Sequence, residues 1–299
     1  MHWVIQENVA KEAKFDEMIQ ALERRSIPHS IHKVVPFSGD LIPEPPERFP
    51  PLYIYHVPVH QAGVAHPRLE AVHRDRPVWC MGSISLAHTA KKYGWRPGVV
   101  STDDFDFEVQ KAIWGSKMLN HDAIIKAVVD EEKHQDYRIA YLMHGITDEL
   151  HVRPLNDSKV IKGQIMSCAE MDEWVATAKQ NEVPLDFKLM FSPIKQIYQE
   201  VRYWVVGGEI VGKSLYRLGE TVLHSQDMID PDVTWFASAV VHMTHKVLRD
   251  PRLPEAYCLD CCSTPDGPKI VEVNNINSSG LYAVNVGMLV EAIQDHWMS

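Results

Sequence analysis

Two segments in the last third of the chain concentrate the residues able to do chemistry. In the first, Gln199 to Val206 alternates in period two, Gly207-Gly208 makes a turn, and Glu209 to Arg217 alternates again, which reads as a β-hairpin. A two-residue loop pairs Val206 with Glu209 and sets Arg202 opposite Lys213. Glu200, Arg202, Lys213 and Arg217 then share one face. Like charges directly opposed on a sheet repel, so three cations beside one carboxylate make sense around an anion, and phosphate is the obvious one. A solvated face, with basic stems lying over Trp204 and Val211, is the competing reading.

The second segment reads as a hairpin of Ala256 to Cys262 and Lys269 to Asn274 around Asp266-Gly267. A loop of about five residues places Asp260 opposite Glu272, and Glu272 shares a face with Asn274. Two carboxylates and a carboxamide converge there. Mg²⁺ takes such hard oxygen donors, one or two of them carboxylates, and fills its remaining positions with water and substrate phosphates. Apolar Leu259, Cys261, Val271 and Val273 on the other face bury one side of the hairpin, although paired carboxylates on an edge hairpin are most often merely exposed. Upstream, Leu150 to Gly163 gathers Arg153, Lys159 and Lys162 around polar turn residues, and Lys195 follows Pro193. Lysines so placed can act as point charges on phosphate oxygens; by composition they read equally as surface lysines.

The elements that must position these residues are legible in part. Trp3-Val4-Ile5 is a strand, Lys11 to Arg25 an amphipathic helix with Phe15, Met18, Ile19 and Leu22 on one stripe, and Ile31 to Phe37 a second strand. This β-α-β unit implies a mostly parallel sheet. Seven prolines between Pro36 and Pro58 predict a loop. Val78 to Ser83 reads as a strand running into a turn, followed by a helix from Leu86 to Tyr93. A lone Gly82-Ser83 before that helix is turn chemistry, not a phosphate loop. A further helix is expected from about Asn120 to Lys133, then short strands over Arg138 to Met143, Glu149 to Arg153, Val160 to Met166 and Lys188 to Phe191. Helices over Val233 to Val247 and about Val286 to Trp297 close the chain.

With 299 residues, 45% hydrophobic and 23% charged, the composition is that of a core-forming globular protein of one large domain or two. A net charge of −10 attracts neither nucleic acid nor anionic lipid. Five cysteines are an odd count that argues against a disulfide framework and for a reduced, cytosolic setting. No window approaches the ~18 apolar residues of a membrane span. Cys258-x-x-Cys261-Cys262 cannot supply four convergent metal ligands, because alternation sends Cys261 to the face opposite its neighbours. His242-x-x-His245 reads as structural.

The ordered set of motifs resembles the ATP-grasp superfamily: Arg153-Pro-x-x-Asp-Ser-Lys159, Glu200-x-Arg202 before a Gly-Gly hairpin ending Ser214-x-Tyr-Arg217, Leu259-Asp260, and Val271-Glu-Val-Asn274-x-Ile-Asn277-Ser-Ser-Gly-Leu-Tyr282. The likeness covers roughly Val78 to Trp297 and is strongest in the clade with two lysines in its nucleotide-covering subdomain, which includes a cell-division-cycle assembly factor for a translation initiation factor. It implies an α/β protein in two domains, with α+β subdomains in the second. These are a Rossmann-like pre-ATP-grasp domain over 1–110, and an ATP-grasp core over 111–299 with a lid subdomain at about 135–195 and a metal-binding subdomain at about 196–299. By that resemblance Asp260, Glu272 and Asn274 are magnesium ligands, and Lys159 and Lys195 contact the nucleotide, with Lys162 or Lys213 as alternatives to Lys195. Arg202 and Arg217 lie near the transferred phosphate, and Glu200 joins the same motif with its partner left open among adenosine, metal and Arg202. Arg153, Asn277, Ser278, Ser279 and Tyr282 are assigned to the substrate, the loop after the metal strand reading alternatively as a helix cap. The implied cofactors are ATP and Mg²⁺. The implied activity is an ATP-dependent carboxylate-amine ligase working through an acylphosphate, with a peptide or protein among its candidate substrates. A nucleotide-dependent assembly factor without turnover and a kinase on the same fold are the alternatives.

Overall fold

The computed structural model describes residues 1–12, 14–34, 41–43, 77–128, 137–144, 149–155, 161, 163–181 and 187–299. The chain forms two compact units, one of residues 1–104, 198–263 and 272–299, the other of residues 105–197 and 264–271.

The first unit opens with strand β1 (His2–Gln6), helix α1 (Phe15–Arg24), β2 (His29–Val34), β3 (Leu41–Pro43), β4 (Val78–Met81), α2 (Ile84–Tyr93) and β5 (Pro97–Gly98). The sheet order is β3-β2-β1-β4-β5. The β1–β2, β1–β4 and β4–β5 pairs are parallel, as the β-α-β pattern predicts. Trp3 and Ile5 face one core cluster and Val4 another, so both faces are covered. That accounts for a continuous apolar run in place of an alternating one. Short β3 lies inside the stretch expected to be loop; it pairs antiparallel with β2 at the sheet edge, the position in a sheet where a proline such as Pro43 is tolerated. The rest of that proline-rich stretch up to residue 76 is outside the described residues.

The second unit contains α3 (Phe107–Trp114), β6 (Ile124–Ala127), α4 (Tyr137–Met143), β7 (Leu150–Pro154), β8 (Gln164–Met166), α5 (Cys168–Gln180) and β9 (Lys188–Ser192). Its strands form an antiparallel sheet in the order β6-β9-β7-β8. Up to residue 128 the stretch expected to be helical from Asn120 is instead a turn and a strand, β-branched Ile124 and Ile125 pairing with Phe191 and Met190 of β9, and its remainder to Lys133 lies outside the described residues. Conversely, Arg138 to Met143 is helical. Its Tyr137, Ala140 and Tyr141 are buried at i, i+3, i+4, and Tyr141 donates to Met166 O at 2.9 Å. Helix α5 begins with a capping box, Ser167 Oγ accepting from Glu170 N and the Glu170 carboxylate accepting from Ser167 N.

The chain then returns to the first unit with β10 (Gln199–Val206), β11 (Glu209–Leu218), β12 (Thr221–Ser225) and α6 (Pro231–His242), which runs on into a π-helical turn over Met243–Leu248. Strands β13 (Ala256–Thr264) and β14 (Gly267–Asn274) and the closing helix α7 (Val286–Met298) follow. The sheet order is β12-β11-β10-β13-β14. Trp204, Val206, Ala256 and Cys258 lie in one core cluster with Trp3, Trp79, Met18 and Leu289, which joins this sheet, the N-terminal sheet, α1 and α7 into a single unit.

Candidate active site

The first hairpin turns at Gly207-Gly208 with φ of +59° and +81°, a conformation that glycine adopts without strain. Val206 pairs with Glu209 as expected, but two register shifts follow, one between Trp204 and Val205 and one between Glu200 and Val201. They change the predicted face. Arg202 is opposite Ser214, and Lys213 pairs with Tyr203, one residue out of phase with Arg202 and therefore on the other side of the sheet. Arg217 remains beside Glu200. The second shift leaves Tyr216 as the bulged residue, and its hydroxyl donates to Glu200 Oε2 at 2.8 Å.

The expected cluster of uncompensated cations is thus replaced by two ion pairs. Arg202 grips Asp260 with both ends of its fork, Nε to Oδ1 at 2.8 Å and Nη2 to Oδ2 at 2.7 Å, because β10 and β13 place the two residues opposite each other. Asp260 is 1% exposed and the Arg202 residue 8%. Arg217 Nη1 donates to Glu200 Oε1 at 3.2 Å. Among the described residues the Nη1 group of Arg202 has no hydrogen-bond partner, which leaves a donor edge suited to a phosphoryl oxygen.

The second hairpin turns over two residues, Pro265 and Asp266, not five. Even so, the three predicted ligands meet. The Asn274 amide nitrogen donates to Asp260 Oδ2 at 2.9 Å and to Glu272 Oε1 at 3.0 Å. A partly positive donor stands where oxygens of two carboxylates converge, the place a divalent cation would take. Burial raises Asp260 above the ordinary carboxylate range, and the charges of Glu272 and Glu200 add to it despite Arg202. For Arg202, burial opposes the cation, but the hydrogen bonds and charge of Asp260 outweigh it and hold the guanidinium protonated. No cluster of three or more His, Cys, Asp or Glu side chains suited to a metal occurs among the described residues. Two carboxylates with a carboxamide are nonetheless the sparse oxygen set that Mg²⁺ accepts when phosphates complete its shell, so the residues fit that ion.

The loop after β14 divides its labour. Asn277, 1% exposed, donates through Nδ2 to Cys80 O at 2.6 Å and accepts at Oδ1 from Val100 N at 2.9 Å, while its own carbonyl accepts from Gly82 N at 2.9 Å. Asn275 Nδ2 adds a bond to Val100 O at 2.7 Å. The side chain of Asn277 is committed to backbone at the ends of β4 and β5, a role that its sequence neighbours do not signal. Asn277→Ala should cost about 2–3 kcal/mol by leaving buried backbone groups unpaired. Urea unfolding measures this, and a loss under about 1 kcal/mol would contradict it. Ser279 Oγ bonds Asn275 O at 2.7 Å, whereas Ser278 is exposed. The ring of Tyr282 lies against Tyr216 and Arg202.

In the second unit, Lys195 forms an ion pair with Asp122, whose other oxygen is buried without a partner among the described residues. Arg153 on β7 pairs with Met190, and His151 is on the same face. Burial, then the charge of Arg153, lowers His151 below the usual histidine value. Lys159 and Lys162 lie outside the described residues. The cysteines are all free, and Cys258 and Cys262 pair with Trp204 and Glu200 while Cys261 pairs with Val201, the alternation expected. His245 stacks on Tyr257 and bonds its hydroxyl at 3.1 Å, a packing role. No helix among the described residues is long and apolar enough to cross a membrane.

Comparison with known proteins adds three findings. A family model described as an ATP-grasp domain, the third family of its clade, matches residues 92–293. No curated protein matches the chain. Among solved structures, a RimK domain ATP-grasp protein from Sphaerobacter thermophilus is 13% identical with a TM-score of 0.57, the match covering 97% of this chain and 98% of that one. D-alanine–D-alanine ligase from Bacillus anthracis is 10% identical with a TM-score of 0.60, covering 100% and 99%. The ATP-grasp ligase PsnB, solved with the precursor peptide PsnA2 and AMPPNP, is 11% identical with a TM-score of 0.54, covering 99% and 96%.

Proposed function

We propose a function from one established premise: the chain belongs to the ATP-grasp domain family whose model spans residues 92–293. Its fold is that of ATP-grasp ligases. The reading is an ADP-forming carboxylate-amine ligase, and one observation carries it: Asp260, Glu272 and Asn274 meet beside a buried arginine that keeps a donor edge spare. In the first step a carboxylate oxygen of the donor substrate attacks the γ-phosphorus of ATP, the bond from phosphorus to the ADP oxygen breaks, and an acylphosphate forms. In the second, an amine nitrogen attacks the acyl carbon and phosphate leaves with the bonding pair.

Magnesium, which Asp260, Glu272 and the Asn274 carboxamide would hold, neutralises phosphate charge when bound. The protein's own contribution is positioning and fixed charge. Arg202 directs its Nη1 donors at the moving phosphoryl group, and Arg217, half exposed and tethered to Glu200, adds a second cation. Lys195 and Lys159 are assigned to the nucleotide, and Arg153 to the substrate. Ser278 and Ser279 supply hydroxyls to the acceptor. A peptide is the favoured substrate class, supported by the fold shared with PsnB, which was solved with a peptide.

Lys195→Ala should weaken binding of an ATP analogue roughly tenfold, the size of one charge-assisted hydrogen bond. Calorimetric titration measures it, and unchanged affinity would remove Lys195 from the nucleotide set. The ligase reading itself is tested with ATP, a panel of carboxylate-bearing peptides and hydroxylamine. Hydroxamate formed together with ADP supports an acylphosphate. A stable phosphorylated product would transfer the assignment to a kinase, and a stoichiometric protein complex without covalent product would favour an assembly factor.

A further inference from the structure

Tyr282 adopts φ +46°, in the left-handed region that residues with side chains seldom occupy. Strain of this kind persists where surroundings over-determine it, and the contacts say what it accomplishes. The guanidinium carbon of Arg202 lies 5.1 Å from the centre of the Tyr282 ring and 5.7 Å from that of Tyr216. The two rings stack at 5.3 Å with their planes 20° apart. Both distances to Arg202 are within the ~6 Å reach of a cation–π contact, which is strongest where water is excluded.

Each ring is fixed from behind. The hydroxyl of Tyr216 is bound to Glu200. The Tyr282 ring is flanked by His224, centroid to centroid 4.8 Å. The backbone of the next residue, Ala283, is tied at both ends: its N–H donates to Ser214 Oγ at 3.1 Å, and its carbonyl accepts from Gln226 Nε2. Arg202 is thus gripped at one edge by Asp260 and lies within reach of two aromatic rings, and its Nη1 has no hydrogen-bond partner among the described residues.

We propose that Tyr282 is a positioning residue whose ring fixes the plane of the Arg202 guanidinium and thereby the direction of its spare donors. The consequence for phosphoryl transfer rests on the ligase reading above; the positioning does not. Left-handed backbone at this residue is what brings the ring back over β10 and β11. A leucine at the same point would fill the space without an electron-rich face. A phenylalanine would keep the face and lose the hydroxyl.

Proton exchange at the Arg202 Nε–H tests this directly, because that hydrogen sits in the bond to Asp260. In protein labelled with ¹⁵N-arginine, Arg202→Lys identifies the resonance by its disappearance. The expected result is slow exchange in the wild type and in Tyr282→Phe, and exchange at least about tenfold faster in Tyr282→Leu. Equal protection in Tyr282→Leu, or equal loss in Tyr282→Phe, would overturn the proposal. If the leucine variant fails to fold, Tyr282→Gly replaces it: glycine relaxes the backbone at positive φ while removing the ring. Fast exchange in that variant supports the proposal and slow exchange overturns it. Titration of the wild type with Mg²⁺ and AMPPNP separates the two levels. Ring-dependent protection without nucleotide binding would sink the ligase reading alone, and nucleotide binding with ring-independent protection would sink the positioning role alone.

Discussion

Glu272→Gln is expected to lower ATP turnover by about 10²- to 10³-fold while leaving the fold intact. Glu272 is only half-buried, and its Oε1 accepts from the Asn274 amide, an interaction the Gln carbonyl can still make. The variant therefore removes one negative charge from the proposed cation site while keeping the side chain's size and its bond to Asn274. Asp260 is a poorer choice for this experiment. Its two oxygens also hold Arg202, so Asp260→Asn would disturb the ion pair and the metal site together. Single-turnover cleavage of ATP measures the effect of Glu272→Gln, and turnover within about threefold of wild type would remove the carboxylate from the mechanism.

Arg202→Met should destabilise the first unit by about 3–5 kcal/mol, since it strands a fully buried carboxylate whose remaining described donor is the Asn274 amide. Arg202→Met combined with Asp260→Leu should recover most of that loss, because an apolar pair of similar volume replaces the ion pair without an uncompensated charge. Both variants should lack turnover. Denaturant unfolding followed by tryptophan fluorescence tests the pair, Trp204 being two residues along the same strand from Arg202. A single variant within about 1 kcal/mol of wild type would mean that Asp260 does not depend on the arginine for its stability in the fold.

Much of this architecture can be read in the residues themselves, and the exceptions have physical causes. Trp3-Val4-Ile5, the helical stripe of α1 and the Gly207-Gly208 turn each carry a local pattern strong enough to identify the element. The candidate ligands are legible as well, since Glu272 and Asn274 are separated by one residue on a strand. Register is not. The shift between Trp204 and Val205 leaves no mark on the alternation, yet it moves Lys213 to the other face and makes Ser214 the neighbour of Arg202, and the bulge at Tyr216 then sets Arg217 opposite Glu200. Helix α4 is hidden because Tyr and Ile favour strands, and burial at helical spacing overrides that preference only once its partners on β8 and α5 are present. Ser167-x-x-Glu170 does announce helix α5, a local signal that a strand-and-turn pattern for this region leaves unused. The commitment of Asn277 to β4 and β5 is a long-range fact with no local signature.

The central claim is that Asp260, Glu272 and Asn274 hold a divalent cation together with the phosphates of ATP, and thermal unfolding with Mg²⁺ and AMPPNP tests it most directly. At about 100 times its dissociation constant the nucleotide should add ~2.7 kcal/mol, a rise of several degrees in the wild type. Glu272→Gln, with the same Tm as wild type when unliganded, should show little or no rise. An equal rise in both proteins would place the nucleotide elsewhere, and no rise in either would contradict the account.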